Sequence, residues 1–411
     1  MLPDSHSRLS PSKRHRWSKC PGSVRAERAY KNVSGKAAID GTHSHTLLEA
    51  CLINKKSPLE YIGTTLTDKD GEFHVNSDRA ERVNIAYEYI QMKVGIAQAS
   101  GKNVKVITES KVSLFPITFR SDLDGTVDVQ IITDDSIEVI DYKDGMGIVD
   151  VEDNPQLIQY TLGALAENPT FNGMVEMTII QPRALLKSMH TVNSVSTWVN
   201  DMMRHLPNII REALATDAPD APLIPGESQC KFCLHKGACP ALMNASLSII
   251  SPDDSGDLST QLANSEATGM SNWDIQRVLE AAPMIRTFIA GVEEEALSRF
   301  RKGSVVPGFK VIQGSGQRSW KLEDSEIAAK LTKMGIPKAD VFKSNVISIA
   351  QAEKLKWTKK NGEERRLSKR QIDLMNSEYV ERSTGSLKVV PESEKGNPVL
   401  FSIDHAFQPI E

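Results

Sequence analysis

After residue 102 the hydrophobic pattern of this chain changes period, and that change decides its fold class. The runs 103–114 (NVKVITESKVSL), 123–132 (LDGTVDVQII) and 136–142 (SIEVIDY) alternate apolar with polar positions and are rich in β-branched residues. They predict half-buried strands, the last two joined at an Asp134-Asp135 turn. On either side the period is helical. Residues 78–99 predict a long amphipathic helix, capped by Ser77 or Asp78, with Gly101 past its end. Residues 36–54 carry an apolar stripe and predict a helix that starts near Gly41-Thr42. Downstream, 155–166 (PQLIQYTLGALA) is helical with Pro155 in its first turn, 174–181 and 189–194 read as strands, and 195–215 reads as helix. Helices, a small mixed sheet, a crossover helix and more sheet make an α/β core.

The chain is longer than that core needs: 411 residues correspond to two or three domains. A Ser/Asp/Gly-rich stretch, 246–272, predicts a linker between a first domain, 1–245, and an accessory domain, 273–411. The accessory domain mixes a helix over 273–302, strand-like 308–313, 386–391 and 399–403, and short helices near 323–334 and 348–357, an α+β pattern. With 49 Lys+Arg against 53 Asp+Glu, a bulk-basic binder is excluded and a local basic groove is not. No apolar run approaches the roughly 18 residues of a membrane span, so no membrane partner is expected. The N-terminal MLPDSHSRLSPSKRHRW lacks the apolar segment of a secretory signal, so the expected location is cytoplasmic. Its cations, among them Arg8, Arg14, Arg16 and Lys19, fit either a solvated arm or a nucleic-acid contact.

The chemistry gathers on the strands. Asp141 and Lys143 are two apart, so they share a face. Asp128 lies on the preceding strand, the expected hairpin partner. Clustered carboxylates repel, and a hard divalent cation commonly resolves that repulsion. A lysine beside the ion can orient or deprotonate water or offset developing charge, which suits phosphodiester hydrolysis. Alone, Asp-x-Lys equally describes a surface hairpin with scattered charges. His45 and Glu49 add a pair four apart on the first helix, and Gln156 and Tyr160 another on the crossover helix. Asp124 is a reserve ligand, Glu109 is expected to pair with a lysine or sit at the edge of the site, and His43 reads as solvent-facing.

Gly41-Thr-His-Ser-His45-Thr-Leu-Leu-Glu49, Gly125-Thr-Val-Asp128, Asp141-Tyr-Lys143 and Gln156-Leu-Ile-Gln-Tyr160, in this order, resemble the motifs of RecB-type nucleases of the PD-(D/E)xK superfamily. That group includes the RecB nuclease domain, the AddAB nucleases and the CRISPR-adaptation exonucleases. The resemblance spans roughly residues 17–240. It implies a restriction-endonuclease-like core, a mixed sheet flanked by helices. It also implies Mg²⁺ or Mn²⁺ held by His45, Asp128, Asp141 and the backbone carbonyl of Tyr142, with Lys143 catalytic and Gln156 and Tyr160 on the DNA side. Asp141 stands where many relatives carry Glu. The chain is also similar to a phage and prophage branch of the group through Leu9-Ser-Pro-Ser12, Arg16-Trp17, Cys20-Pro-Gly-Ser23 and the segment from Asn154 to Tyr160.

Cys230, Cys233 and Cys239 are too closely spaced for chance core residues, and five cysteines without an export signal point to metal or catalysis rather than disulfides. A closed thiolate site needs a fourth ligand; Cys20 is the candidate, with His235 as a substitute for one cysteine. In one subgroup of these nucleases an upstream cysteine and three downstream ones hold a [4Fe–4S] cluster. The resemblance implies the same for Cys20, Cys230, Cys233 and Cys239, with zinc as the physical alternative. Cys51 reads as a plain buried thiol. In the C-terminal region, 354–370 holds eight Lys/Arg against two Glu. It fits a grip on phosphates with Trp357 stacked on a base, or a solvated helix-loop-helix face. The expected function is metal-dependent DNA hydrolysis in phage recombination or processing in a bacterial host, with a phage recombination protein as partner. The resemblance favours exonuclease over endonuclease. The alternatives are a catalytically silent DNA-binding protein or scaffold, against which the intact Asp128, Asp141, Lys143 and Gln156 argue, and a zinc-binding interaction protein.

Overall fold

The computed structural model describes residues 7–30, 35–183, 191–250, 272–314, 316, 318–322, 324–341, 346–358, 364–394 and 396–399. Residues 251–271 of the expected linker, 400–403 of an expected strand and 359–363 of the basic stretch lie outside the described residues.

The helix that carries His45, Lys36–Asn54, begins ahead of Gly41, because Lys36, Ala37 and Ala38 are good helix formers behind the N-cap Gly35. A hairpin without a periodic signature follows, β1 (Thr65–Asp68) antiparallel to β2 (Gly71–His74). The long helix Ser77–Ala99 is capped one residue earlier than expected: Asn76 Oδ1 accepts from Arg79 N–H at 2.9 Å. Five strands, β3 (Val104–Ser113), β4 (Asp124–Thr133), β5 (Ser136–Tyr142), β6 (Met174–Ile180) and β7 (Val192–Trp198), form one sheet in that order. Every neighbouring pair is antiparallel except β5 and β6, which the crossover helix Pro155–Glu167 joins in parallel. The result is a mixed α/β layer flanked by helices. Val195 and Thr197 continue the strand alternation and pair with β6, so the helix expected from 195 starts at Val199. It then breaks, resuming as Leu206–Ala215 with Pro207 in its first turn.

The sheet is buried on both faces. Ile137 and Val139 face a core with Leu157 and Leu162 of the crossover helix, while Ile140 and Tyr142 face a core with Leu47, Cys51, Val83 and Ile90 of the two N-terminal helices. Cutting Leu157 to Ala would cost about 2–5 kcal/mol.

Of the N-terminal cations, Arg8, Arg14 and Arg16 are neither on a solvated arm nor free for phosphate, while Lys19 is exposed. Arg14 is buried and ion-paired to Glu212 at 3.0 Å, Arg16 pairs with Glu27, and Arg8 reaches Asp122 and Asp217 at 2.6 Å each. Trp17 is buried and its indole N–H donates to Ser10 O at 3.2 Å. Residues 7–23 are thus a strap laid over the sheet's end.

The chain divides into two compact units, Met1–Gly291 and Val292–Glu411. The division falls inside the helix Asn272–Arg301 rather than at 246–272. Met284 and Phe288 of that helix pack on Cys230, Cys239 and Leu242, which ties its first part to the first unit. In the second unit, β8 (Phe309–Gln313), β9 (Arg318–Trp320), β10 (Lys356–Thr358), β11 (Glu364–Arg366), β12 (Val380–Arg382) and β13 (Leu387–Pro391) pair as β8–β13, β9–β12 and β10–β11. The basic stretch is therefore a hairpin entering a short helix, Lys369–Leu374, not a helix-loop-helix. Trp357 is only 9% exposed and packs with Ile327, Leu331 and Val341, so it is not available to stack on a base.

Candidate active site

Three strands bring acids to one level. The β3–β4 register pairs Thr108 with Val129 and Ser110 with Val127, which sets Glu109 opposite Asp128; the β4–β5 register pairs Val129 with Ile140, which sets Asp128 beside Asp141. The sheet is distorted here. Glu109 has φ +44°, in the left-handed region that costs an L-residue roughly 1–2 kcal/mol. Val127 and Val129 are two apart yet join different cores, so β4 rotates at Asp128.

His45 closes over these acids. Its Nδ1 lies 3.4 Å from Asp128 Oδ1 and 4.0 Å from Glu109 Oε1, and its ring meets Tyr142 edge-on with centroids 5.4 Å apart. His45, Glu109 and Asp128 offer ligand atoms within 4.8 Å of one another, the one such trio among the described residues. Asp141 is outside the trio. It is buried and turned to Lys143 Nζ at 2.9 Å and to Gln156 Nε2 at 3.0 Å. The Tyr142 N–H donates to Asp128 Oδ2 at 2.7 Å, and a strand residue presents its N–H and C=O to the same edge, so that carbonyl faces the same gap.

The crossover helix supplies the other wall. Asn154 caps it by accepting from the N–H groups of Gln156 and Leu157, which fixes its first turn. Gln156 Oε1 accepts from Lys143 Nζ at 3.2 Å, and its Nε2 lies 3.4 Å from the Tyr160 hydroxyl. Gly125 matters here because a Cβ at that position would lie 2.6 Å from Pro11 Cδ, so only glycine lets the strap close on β4. The cleft between them, of about 570 Å³, is lined by these groups together with Ser10, Ser12, Glu49, Asp68 and Lys69. The reserve ligand Asp124 is engaged by Lys111 at 2.5 Å, and His43, expected to face solvent, is half-buried, bonded to Asp68 at 2.6 Å and stacked on Phe73.

Charge inside the cleft is strongly coupled. Burial disfavours a charged imidazole, but Asp128, Glu109 and Asp141 outweigh it and push His45 up to about 9. Burial and the Asp128 charge push Glu109 up to about 7, against the pull of His45. Asp128 is half-buried, and against that burial His45, Lys143 and the Tyr142 N–H hold it below the usual carboxylate range. Burial and the Asp128 charge hold Asp141 above that range despite Lys143. For Lys143, burial is outweighed by Asp141 and Asp128, which raise it and keep its ammonium charged.

A family model described as "Protein of unknown function (DUF2800)" matches residues 6–397. The chain belongs to the DUF2800 family.

This DUF2800 chain has a second constellation in the same unit. Cys20, Cys230, Cys233 and Cys239 are all buried and line one small cavity, with His235 and Lys236 on its wall. None is in a disulfide. The Ile224 N–H donates to Cys20 Sγ at 3.2 Å and the Gly226 N–H to Cys230 Sγ at 3.4 Å, contacts that suit thiolates. Burial pushes the Cys233 thiol up to about 12 and raises Cys20 and Cys230, so a bound metal would have to displace their protons. His235 accepts or donates through Nδ1 to the Tyr30 hydroxyl at 3.1 Å. Cys51 lies apart in the helix-side core, as a plain buried thiol should.

Sequence reasoning underweighted Glu109 and missed Lys69 and the Ser10–Ser12 wall. Glu109 had one legible signal, its register opposite Asp128, but the connection between β3 and β4 carries no turn motif that would fix it.

Proposed function

We propose that this DUF2800 chain is a divalent-metal-dependent DNA nuclease with a RecB-type, restriction-endonuclease-like core. In this reading it is an exonuclease acting on single-stranded or duplex DNA ends in phage recombination or processing, beside a phage recombination protein, in the cytoplasm of a bacterial host. The observation that carries the reading is the line of Glu109, Asp128 and Asp141 across three adjacent strands, with Lys143 Nζ 2.9 Å from Asp141 and His45 Nδ1 3.4 Å from Asp128.

The donor set fits a hard cation: one imidazole, carboxylates and a backbone carbonyl. His45, Glu109 and Asp128, with Asp141 and the Tyr142 carbonyl beside them, would hold Mg²⁺ or Mn²⁺, which supplies a Lewis acid and a water of lowered pKa. The chain's own groups do the rest. Asp141 and Gln156 hold the Lys143 ammonium where negative charge develops on a phosphodiester. Tyr160, its hydroxyl kept neutral by burial, presents a proton donor from the opposite wall.

The cysteine cavity fits a [4Fe–4S] cluster on Cys20, Cys230, Cys233 and Cys239. A single zinc with Zn–S near 2.3 Å would hold its sulfurs about 3.8 Å apart. Iron and zinc content of the purified protein separates the two.

Digestion of end-labelled linear and covalently closed circular DNA with Mg²⁺ or Mn²⁺ tests the reading. Loss of linear DNA from its ends, with circles spared, is expected. Nicked circles would make the activity endonucleolytic, and intact substrates in both ions would contradict the proposal.

A further inference from the structure

The loop from Leu114 to Leu123, between β3 and β4, holds the most exposed large hydrophobic side chain among the described residues. Phe119 is 82% exposed and Phe115, beside it, 50%. The rings sit T-shaped with centroids 6.3 Å apart. Phe119 also has φ +56°, a left-handed conformation in which glycine or asparagine would be relaxed and phenylalanine is not. The fold gains no burial from this side chain and bears its backbone strain.

The platform is nevertheless held rigidly. The Phe119 N–H donates to Phe115 O at 2.8 Å, the Thr118 hydroxyl to Leu114 O at 2.8 Å, and the Arg120 guanidinium is fixed on Asp122 and Asp217. It also adjoins the cleft. The Leu9 N–H donates to Asp122 O at 3.0 Å, and the next residues of that strap, Ser10 to Ser12, line the cleft wall. Along β3, Ser113 lies four residues beyond Glu109, a separation of about 13 Å. That is on the order of two to four nucleotides, by whether the strand is extended or stacked.

We propose that Phe115 and Phe119 are a nucleobase-stacking platform at the rim of the cleft, taking a base of a single strand whose phosphate lies at Asp128 and Asp141. The inference rests on the nuclease reading and adds a second contact to it. Aromatic faces bind any base, so such a platform grips a strand without reading its sequence. A protein partner is the poorer occupant: two rings and Pro116 make a patch the size of one base, far below the area of a stable protein interface.

The test uses the full chain with Ca²⁺ in place of Mg²⁺ or Mn²⁺, so that a hard cation still bridges the acids and a phosphate, and single-stranded oligonucleotides carrying 2-aminopurine at successive positions. The fluorescence change should peak at one or two adjacent positions and vanish in Phe119→Ala, with affinity falling about 5- to 150-fold. Phe119→Trp should restore both. Phe119→Gly should melt no lower than wild type, showing that the ring is not structural. An unaltered positional signal and affinity in Phe119→Ala would overturn the proposal, as would wild type that binds no oligonucleotide. So would a wild-type dimer that Phe119→Ala makes monomeric, which would assign the rings to a second copy of the chain. Cleavage in Mg²⁺ separates the two readings. Intact cleavage with no positional signal defeats the platform alone, and positional binding without cleavage defeats the nuclease alone.

Discussion

Along the N-terminal strap, seven residues separate Ser12, on the wall of the cleft, from Cys20, in the cysteine cavity. The two regions follow opposite rules. The cleft is open, is lined by five acids (Glu49, Asp68, Glu109, Asp128 and Asp141) against Lys69, Lys143 and His45, and sits where Glu109 is strained and β4 rotates. The cavity is small and more enclosed, and burial raises the thiols of Cys20, Cys230 and Cys233, so a bound metal would have to displace their protons. A site that must admit and release a substrate keeps access and unbalanced charge. A site that only ties chain segments together can be sealed. In the proposed reading the cavity would contribute stability and the cleft chemistry, and each assignment can be broken separately.

The largest effect should come from the cavity. A cluster joining Cys20 to Cys230, Cys233 and Cys239 closes a loop of more than 200 residues, worth on the order of 5 kcal/mol by chain-entropy scaling. Any one Cys→Ala among the four should lower the melting temperature and the iron content of anaerobically purified protein, and Cys51→Ala should not change the iron. Stoichiometric zinc in colourless protein, or full iron in Cys20→Ala, would break the assignment.

Next comes the pH dependence of metal binding. In metal-free protein His45 titrates near 9, above its ordinary value, so its charged form stabilises the fold below about pH 6.5 and that contribution is lost as pH rises through 9. Metal binding runs the other way, because only the neutral imidazole ligates. Mn²⁺ affinity should climb about tenfold per pH unit between pH 7.5 and 8.5, above the titration of Glu109, and more steeply near pH 7, where Glu109 also sheds its proton. A flat profile above pH 7.5 would remove His45 from the ligand set. His45→Gln should lower the slope by about one proton.

How much of this was legible depended on whether a signal was local. Asp128, Asp141 and Lys143 were readable because Asp134-Asp135 closes a short hairpin that fixes their register. Gln156 and Tyr160 were readable from a helical spacing behind a Pro155 start. Glu109 needed the register of β3, set across a connection with no turn motif, and a strained φ that no pattern announces. The strap misled: Arg8, Arg14 and Arg16 look like a basic arm until their distant partners Asp217, Glu212 and Glu27 are known. His43 misled likewise, since its partner Asp68 sits on a hairpin too short to show a period.

A smaller effect tests whether DNA is held by the cleft alone. Val292–Glu411 carries 21 Lys+Arg against 17 Asp+Glu, the reverse of the rest of the chain. Neutralising Lys354, Lys356, Lys369 and Arg370 should flatten the salt dependence of DNA binding by roughly 0.7–0.9 in log–log slope per lost contact. An unchanged slope would leave the cleft and its rim as the whole binding surface.

The smallest effect concerns the strap. Arg120 and Arg8 hold Asp217 down to about 2 against an ordinary 3.8, so its contribution is present above pH 4 and lost as pH falls toward 2. Because Asp217 is half-exposed, Asp217→Asn should cost under about 1 kcal/mol at pH 7 and nothing at pH 2, by denaturant titration at the two pH values.

The most direct test of the central claim compares wild type with Lys143→Ala for Mn²⁺ binding and DNA cleavage in one set of conditions. The account predicts that the variant binds Mn²⁺ as wild type does and cleaves about 10²–10³-fold more slowly, since only a charge that stabilises the transition state is removed. Cleavage at the wild-type rate by Lys143→Ala, or wild-type cleavage undiminished in EDTA, would contradict it.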